Sequence, residues 1–320
     1  MKSAHGAPTA KILAFGDYQP SNVVTNHDLA SSIDTDDEWI RSRVGIAERR
    51  VADPDETVVD MATQAGGKAL AASGLAAGDV DLVIVATCTL EAQIPNASSA
   101  VAHRLGIVAP GAFDVNAACA GFCYALSLAS DAIRGGSARH VLVIGAEKLS
   151  AWVDWTDRAT CVIFADGAGA AVVAPSDAAG IGIGPVAWGS AGDKTDTIKI
   201  KDRNSFIFQE GQSVFRWATT ALHPVALAAC ERAGVDPTQL AAFVPHQANL
   251  RIVEAIARRL GAKGAVVADD IVEAGNTSAA SIPLALSRMT ERGEIPSGGL
   301  ALLLGFGAGL TYAGQVIRVP

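Results

Sequence analysis

Cys119 lies in a run of small residues, 116–122 (Asn-Ala-Ala-Cys-Ala-Gly-Phe), where the backbone can turn sharply and leave a thiol open to a substrate. Asp114 and Val115 end a predicted strand, and the apolar spacing from 124 to 133 predicts a helix. The unpaired N–H groups and positive dipole end of that helix would lower the pKa of the thiol and favour a nucleophilic thiolate. A single cysteine in an apolar stretch is otherwise most often a buried structural residue.

Two polar side chains far downstream favour the reactive interpretation. His246 lies in Pro245-His246-Gln247-Ala248-Asn249, and Asn276 lies in Gly275-Asn276-Thr277-Ser278. A cysteine with a histidine alone would suit a thiol hydrolase with the imidazole as base. An amide cannot take a proton, but its NH₂ group and an imidazole N–H can both donate to a developing oxyanion. Read singly, each residue could instead be a helix cap.

The three residues together favour the chemistry of an acyl thioester whose reaction partner becomes an enolate. Decarboxylation of a malonyl thioester generates such an enolate. The turn Gly305-Phe306-Gly307-Ala308-Gly309 could add backbone N–H groups that, with the amide of Cys119, form an oxyanion hole for the thioester carbonyl. It is not a dinucleotide loop, because the GxGxxG spacing is absent and a predicted strand, 314–319, follows it. A plain strand-end turn is the alternative.

The elements that must position these residues occur twice. Strand-like runs alternate with helical patterns, which predicts an α/β protein. A strand at 81–85 leads to a helix ending at 102–106 (Ala-His-Arg-Leu-Gly), and a strand at 242–244 leads to a helix ending at 257–261 (Ala-Arg-Arg-Leu-Gly). Cys119 and Asn276 then stand at matching places, each before a helix and an apolar strand, 141–145 or 300–305.

We therefore expect two duplicated halves packed face to face around a shared cleft. Residues 1–174 would carry the cysteine, and residues 175–320 would carry the histidine and the asparagine. A chance likeness between two Ala-rich units is the alternative.

Composition narrows the function further. The 320 residues carry a net charge of −8, which argues against nucleic acid as a general partner. No apolar run is long enough to cross a membrane. The five cysteines form no CxxC pair, which makes a disulfide framework or a zinc site improbable. The first ten residues show neither a signal core nor an Arg-rich amphipathic pattern, which favours a cytoplasmic protein.

Over nearly its whole length the chain resembles the β-ketoacyl-acyl-carrier-protein synthase III family of the thiolase-like superfamily. Besides the segments around Cys119, His246 and Asn276, the resemblance rests on Asp37-Glu38-Trp39-Ile40, Arg43, Gly45-Ile46, Asp157-Arg158 and 164–170 (Phe-Ala-Asp-Gly-Ala-Gly-Ala). It implies an α/β, thiolase-like five-layered αβαβα fold and a homodimer. It also implies a reaction without a cofactor: Cys119 takes an acyl group from acyl-CoA, and malonyl-acyl carrier protein loses CO₂ and condenses to 3-oxoacyl-acyl carrier protein. Stretches at 214–218 and 309–313 look closer to the actinobacterial branch, whose enzymes prime branched fatty acids or aromatic polyketides.

The same resemblance assigns binding residues. Trp39 and Arg158 would sandwich the CoA adenine, with Arg43 near the phosphates and Asn249 on the pantetheine arm. Stacking an adenine between an indole and a guanidinium is physically reasonable, although the pair could be an ordinary surface contact.

Further positions are assigned to the acyl group and to the carrier protein. Phe215 and Ile94 would line the acyl pocket, the latter across the dimer, or belong to the core. Arg251 shares a helix face with Arg258 and Arg259 and would dock the acidic carrier protein, although such clusters are usually only solvated surface.

The chain also departs from the family pattern. The segment between 189–193 and 210–215 is shorter than usual, so the acyl preference cannot be carried over. Ala308 stands where glycine is common, and its amide can serve as a donor only if its φ is negative.

Three other functions compete with condensation. One is acyl transfer to a hydroxyl, an amine or a carrier without decarboxylation, and another is a catalytically silent partner subunit. A hydroxymethylglutaryl-type synthase would need a carboxylic acid near the thiol, for which Glu91 is the candidate.

Overall fold

The computed structural model describes residues 6–177 and 180–320. Along the chain the strands are β1 (Thr9–Tyr18), β2 (Val23–Thr25), β3 (Glu48–Arg50), β4 (Leu82–Ala86), β5 (Gly111–Val115), β6 (Val141–Lys148), β7 (Asp166–Ser176), β8 (Ala187–Ser190), β9 (Ile198–Lys199), β10 (Phe208–Gln209), β11 (Ala242–Pro245), β12 (Val266–Val267), β13 (Leu300–Phe306) and β14 (Thr311–Arg318). The helices are α1 (Asn26–Ala30), α2 (Asp37–Val44), α3 (Val58–Ser73), α4 (Ala97–Arg104), α5 (Gly121–Arg134), α6 (Gly211–Ala233), α7 (Leu250–Leu260), α8 (Ile271–Ala274) and α9 (Ser281–Glu291).

Two five-stranded sheets share one topology. The first has the order β1-β7-β6-β4-β5, and the second has the order β8-β14-β13-β11-β12. All four strand pairings match between the sheets: β4 is parallel to β5 and β6 as β11 is to β12 and β13, while β7 and β14 run antiparallel to both of their neighbours. The predicted duplication of an α/β unit is confirmed.

The sheets and helices form five layers. Helices α5 and α9 lie between the two sheets, where α5 contacts β6 and β13 and α9 contacts β7 and β11. Helices α3 and α4 cover the outer face of the first sheet, and α6 and α7 cover that of the second. Strand β6 is buried along its whole length and reads as a nearly continuous apolar run, as a strand covered on both faces requires. The predicted αβαβα arrangement is confirmed.

The two halves approach each other most closely where strand β6 meets the turn before α9. A Cβ atom added to Gly145 in β6 would lie 2.3 Å from the carbonyl oxygen of Ala279. Gly145 is therefore required by contact with the other half. This backbone contact fixes the turn that carries Asn276.

Strand β7 is the last strand of the first sheet along the chain and runs to Ser176, two residues past the predicted boundary. The division into residues 1–174 and 175–320 stays a prediction. In the part of the chain that the structure describes, we find no helix with the length and apolarity needed to span a membrane.

Replacing Gly145 with alanine should destabilise the protein by about 3 kcal/mol, because the added methyl group must push two packed backbones apart. The free energy of unfolding in urea, with the midpoint followed by circular dichroism, measures this change. Gly78→Ala is the matched control, since a Cβ there has open space around it and its φ is not positive. Equal stabilities of the two variants would contradict the close packing of the halves.

Candidate active site

Cys119 lies in a 3-10 turn, Ala118–Ala120, between β5 and α5. The turn is held by Asn116, whose Oδ1 accepts a hydrogen bond from the amide of Ala118 at 3.2 Å. Ala118 has a φ of +45°, a left-handed conformation that a non-glycine residue adopts only when its surroundings enforce it. The thiol consequently stands just before the first turn of α5, as the sequence predicts.

The same turn recurs in the second half, but it shows that the predicted match of Cys119 with Asn276 is wrong. Asn276 Oδ1 accepts from the amide of Ser278 at 2.9 Å, and Ser278 has a φ of +51°. A 3-10 turn, Ser278–Ala280, then leads into α9. Asn276 therefore corresponds to Asn116, and the counterpart of Cys119 is Ala279. The sequence had matched Cys119 with Asn276 because both are polar residues before a helix.

His246 follows β11, and its amide donates to the carbonyl of Leu304 in β13 at 2.9 Å. Its Nδ1 lies 2.7 Å from the hydroxyl of Ser281 at the start of α9. Burial lowers the pKa of His246 from 6.5 to about 3, so the ring is neutral at physiological pH.

The contacts of Ser281 also indicate the tautomer of His246. The second group on the Ser281 hydroxyl is the amide of Gln247 at 3.2 Å, which can only donate. The hydroxyl hydrogen is therefore available to Nδ1, and in the tautomer that accepts it Nε2 carries the ring proton and is a donor.

Asn276 is held by the backbone of the first half. The main-chain N–H of Asn276 donates to the carbonyl of Ile163 at 2.9 Å, and its main-chain carbonyl accepts from the N–H of Ala165 at 3.0 Å. The residue is buried, and its position depends on contact between the halves rather than on its own loop.

Cys119, His246 and Asn276 line one cavity of about 1020 Å³. The glycine-containing turn also lines it: Gly307 approaches so closely that an added Cβ would lie 2.7 Å from the Cys119 amide nitrogen. The backbone N–H groups of Cys119 and Ala308 point at the Cys119 sulfur and lower the pKa of the thiol. Ala308 is not among the residues with positive φ, so the condition for its amide to serve as a donor is met.

The predicted depression of the Cys119 pKa is wrong. Burial is the largest influence and raises the pKa of the thiol to about 12, with a further increase from the charge of Glu147. Hydrogen bonds from Ser278 and from the two backbone amides lower it but do not reverse the effect. Removing water around the thiol therefore outweighs the hydrogen bonds that favour the thiolate.

Trp39, Arg43 and Arg158 lie together at the cavity. The Arg158 guanidinium stacks on the Trp39 ring, with its Cζ 4.6 Å from the ring centroid, and that of Arg43 lies at 5.8 Å. This spacing leaves no gap for an adenine between Trp39 and Arg158 until Arg158 moves.

Asn249, Arg251 and Phe215 also line the cavity. Asn249 caps α7 by accepting from the amide of Arg251 at 2.9 Å, and its Nδ2 donates to the carbonyl of Arg43 at 3.1 Å. The Arg251 guanidinium lies over the Phe215 ring, 5.3 Å from its centroid. The docking position and the predicted acyl-pocket wall therefore contact each other.

The remaining predicted positions lie outside the cavity. Ile94 is 83% exposed and does not line it in this chain. Arg258 pairs with Glu254 at 3.6 Å, and Arg259 donates to the carbonyl of Thr219 at 2.5 Å. Glu91 accepts from the amide of Val58 at 3.0 Å and does not line the cavity, so it is not placed to serve as the acid of a hydroxymethylglutaryl-type synthase.

Known proteins match this chain over nearly its full length. Residues 113–192 match the family model described as 3-oxoacyl-[acyl-carrier-protein (ACP)] synthase III, and residues 230–319 match the model of its C-terminal part. The β-ketoacyl-[acyl-carrier-protein] synthase III 4 of Streptomyces coelicolor is 57% identical, covering 97% of this chain and 99% of the relative. The mycobacterial synthase III of Mycobacterium avium is 48% identical, covering 99% of this chain and 98% of the relative. The chain belongs to the β-ketoacyl-acyl-carrier-protein synthase III family.

As a synthase III the protein is an acyltransferase with a thiolase-like fold, and the actinobacterial resemblance seen in its sequence is confirmed. Among solved structures it is similar to the priming β-ketosynthase of the R1128 polyketide pathway, with a TM-score of 0.95, 43% identity and coverage of 99% of this chain and 98% of that chain. The synthase III of Aquifex aeolicus aligns with a TM-score of 0.93 and 42% identity, covering 97% of this chain and 99% of that chain.

Sequence reasoning missed three polar residues of this synthase III site. Ser278 and Ser281 sit inside a recognised motif but were given no role, and Glu147 went unnoticed. The available signal was the charged pair Glu147-Lys148, which ends an otherwise apolar run starting at Val141. A carboxylate at the end of a buried strand needs partners, and here they include the hydroxyl of Ser278.

His246 should remain uncharged from pH 8 to pH 5. ¹⁵N NMR of labelled imidazoles, with the resonance assigned by its loss in His246→Gln, should show no titration near pH 6.5. Because the pKa of His246 is lowered in the folded state, the unfolded chain takes up a proton below pH 6.5 that the folded chain does not. The protein therefore becomes less stable as the pH falls below 6.5. This loss should reach about 2 kcal/mol at pH 5 and be absent from His246→Gln. A His246 signal that titrates near pH 6.5 would contradict the assigned neutrality.

Proposed function

We propose that the protein catalyses decarboxylative condensation of an acyl-CoA starter with malonyl-acyl carrier protein to give 3-oxoacyl-acyl carrier protein. The observation that carries this proposal is a cavity lined by the Cys119 thiol, a neutral imidazole and an amide. Two uncharged donors suit an enolate oxygen, which gains its negative charge only as CO₂ leaves. A site built for hydrolysis would instead need a base that can take up a proton near neutral pH.

The first half-reaction loads the enzyme. The Cys119 sulfur attacks the thioester carbonyl of acyl-CoA, the carbonyl oxygen accepts from the N–H groups of Cys119 and Ala308, and CoA leaves as a thiol. Both amides already point at the sulfur, so a carbonyl carbon bonded to that sulfur would have its oxygen within their reach. Rigid backbone donors need no rearrangement as the charge develops.

The second half-reaction makes the new carbon–carbon bond. The malonyl thioester oxygen accepts from Asn276 Nδ2 and His246 Nε2, the carboxylate leaves as CO₂, and the enolate carbon attacks the acyl group on Cys119. The contact between Ser281 and Nδ1 supports the donor tautomer of His246. The oxygen of Asn276 is engaged by Ser278, which leaves its NH₂ group for the substrate.

Residues at the cavity would hold the CoA thioester. Arg43 would supply positive charge for its phosphates, and Arg158 would stack on its adenine opposite the Trp39 ring. Asn249 would form a hydrogen bond with the pantetheine arm. The adenine would stack on Trp39 after the exposed Arg158 moves aside.

The active form would be a homodimer joined at β5. This strand lies at the end of its sheet, and Phe113 on it remains 39% exposed, close in sequence to the exposed Val108. A second copy pairing along β5 would cover this edge and could bring its own Ile94 to the acyl pocket.

The chemistry serves the first condensation of fatty-acid or polyketide synthesis. One structural relative is named as a priming ketosynthase of a polyketide pathway. Carrier-protein docking would use Arg251, which lies at the cavity beside Phe215.

His246→Ala should separate the two half-reactions. Loading of Cys119 from acyl-CoA, followed by intact-protein mass spectrometry, should persist, whereas release of labelled CO₂ from malonyl-acyl carrier protein should fall by about 10²- to 10³-fold. Cys119→Ser is the control and should abolish loading. Undiminished CO₂ release from His246→Ala, or acyl transfer to a hydroxyl without CO₂ from the unmodified enzyme, would overturn the proposed function.

Arg251→Glu should raise the apparent KM for malonyl-acyl carrier protein by about tenfold and spare loading from acyl-CoA, because reversed charge repels an acidic partner. Arg258→Glu is a matched control with the same charge change on the same helix, outside the cavity. Steady-state kinetics at two salt concentrations measure both. Equal losses in the two half-reactions would exclude Arg251 as a docking residue.

A further inference from the structure

Glu147 is a carboxylate buried behind the nucleophile. It lies in β6 with 0% of its surface exposed, and it is not among the residues that line the cavity. The half-reactions proposed above make no use of it. A buried carboxylate is costly unless its position serves a purpose or it is fully hydrogen-bonded.

Five donors surround this carboxylate. Oε2 accepts from the Thr89 hydroxyl at 2.5 Å, the Cys88 amide at 3.1 Å and the Thr87 hydroxyl at 3.3 Å. Oε1 accepts from the Ser278 hydroxyl at 3.0 Å and the Cys88 thiol at 3.3 Å. An ionised carboxylate only accepts hydrogen bonds, so this set of donors fits the charged form. Burial nevertheless raises the pKa of Glu147, which makes it a better proton acceptor than an exposed glutamate.

Ser278 connects Glu147 to Cys119. Its hydroxyl hydrogen lies on Glu147, and the sulfur of Cys88 is 3.9 Å from its oxygen. The turn Ser278–Ala280 packs against the turn Ala118–Ala120, and Ser278 lines the cavity together with Cys119, so its oxygen is placed to accept the thiol hydrogen of Cys119. A hydrogen bond from Ser278 in turn stabilises the Cys119 thiolate. The hydroxyl can therefore serve both protonation states by passing one proton and taking another.

Among the residues that the structure describes, we find no other group at the site that can take the thiol proton. Burial holds the Cys119 thiol protonated by raising its pKa to about 12, and it makes His246 a very weak base by lowering its pKa to about 3. The other titratable group beside the pair is Cys88, whose own pKa is raised by burial and by the charges of Glu147 and Cys119. The side chain of Lys148 is engaged with the carbonyls of Asp53, Pro54 and Glu56.

We propose that Ser278 and Glu147 form a proton relay that generates the Cys119 thiolate for acyl loading. This inference rests on the proposed function, since it concerns the loading half-reaction. Ser278, which lines the cavity together with Cys119, passes the proton. Glu147 acts through Ser278 and is a positioning residue that holds the relayed proton.

The step conserves protons and charge. The thiol proton moves to Ser278 Oγ as the Ser278 proton moves to Glu147, so the negative charge passes from carboxylate to sulfur. The sulfur then forms its bond to the acyl carbon, and the bond from that carbon to the CoA sulfur breaks. The CoA thiolate leaves with the proton returned through Ser278, and Glu147 is ionised again. The charge repulsion between Glu147 and the thiolate disappears when the carboxylate is protonated.

The pH dependence of Cys119 alkylation tests the relay without acyl-CoA. In the unmodified enzyme one proton is shared internally, so the rate of labelling by iodoacetamide should change less than about threefold from pH 6 to pH 8. In Glu147→Gln the thiolate forms only by losing a proton to solvent, so the rate should rise about tenfold per pH unit. Peptide mass spectrometry separates Cys119 from Cys88. The relay is refuted if the unmodified enzyme already shows the steep pH profile or if Glu147→Gln keeps the flat one.

Ser278→Ala provides a second route that leaves Glu147 in place. Alanine tolerates this backbone, because Ala118 holds the equivalent left-handed position in the first half. This variant should keep the flat profile, because Glu147 can still hold the proton, but it should load acyl groups about 10²-fold more slowly at pH 7, because the thiolate loses the hydrogen bond of Ser278. Unchanged rates of loading and of Cys119 alkylation in Ser278→Ala would remove Ser278 from the relay.

Asp166→Asn is the matched control for loss of a buried carboxylate. Asp166 accepts from the Ser150 hydroxyl at 2.5 Å and from the Ala52 amide at 2.7 Å, and it does not line the cavity. In Asp166→Asn the pH profile of Cys119 alkylation should stay flat. A steep profile in this variant would mean that general loosening of the core, not loss of the relay, causes the steep profile of Glu147→Gln. Failure of CO₂ release with an intact alkylation pattern would overturn the proposed condensation and leave the relay standing.

Discussion

The contact between the β6 backbone and the turn before α9 determines the geometry of this protein. Glycine at position 145 lets the Ala279 carbonyl approach a buried strand of the other half. Gly121 allows a similar approach on the other side, since a Cβ there would lie 3.1 Å from that of Ala86 and 3.5 Å from that of Ala279. Because the turn lies against β6, Ser278 reaches Glu147 and Asn276 pairs with 163–165 of the first half. The active site is thus a consequence of backbone packing between duplicated units.

The duplicated turn has kept its backbone while its chemistry has diverged. Both copies use an asparagine to hold a left-handed residue before a short 3-10 turn and a central helix. In the first half the residue after the left-handed position is the nucleophile Cys119, and in the second it is Ala279. The second turn contributes instead through Asn276 and Ser278, which precede that point. A strained turn retained in both copies, with different functional positions in each, indicates that its main task is to orient whatever side chains it carries.

Much of this could be predicted from the sequence, because local patterns encode it. The repeated strand–helix units gave the two halves, and the motifs around Cys119, His246 and Asn276 brought the right residues to one cavity. The register between the turns was wrong because it matched polar residues rather than backbone conformation, which only φ values reveal. Glu147 escaped notice because its link to the thiol runs through Ser278 in the other half. No spacing along the chain encodes that contact.

The error in the thiol pKa has a physical reason that bears on the mechanism. A helix N-terminus favours a thiolate, but burial disfavours every charge, and burial dominates at this site. The same burial that raises the pKa of Cys119 to about 12 lowers that of His246 to about 3. The resting Cys119, His246 and Asn276 are therefore neutral, and a negative charge is kept behind them on Glu147.

Such a cavity suits a reaction that moves a negative charge from a carboxylate to an enolate oxygen as CO₂ leaves. The neutral donors His246 and Asn276 bind the uncharged thioester oxygen only weakly. Their hydrogen bonds strengthen most as the enolate oxygen becomes negative. A charged imidazolium would instead bind the malonyl carboxylate tightly and oppose the loss of CO₂. Excluding water disfavours both anions, so the enolate depends on the donors at His246 and Asn276, and the nucleophile needs a dedicated route for its proton.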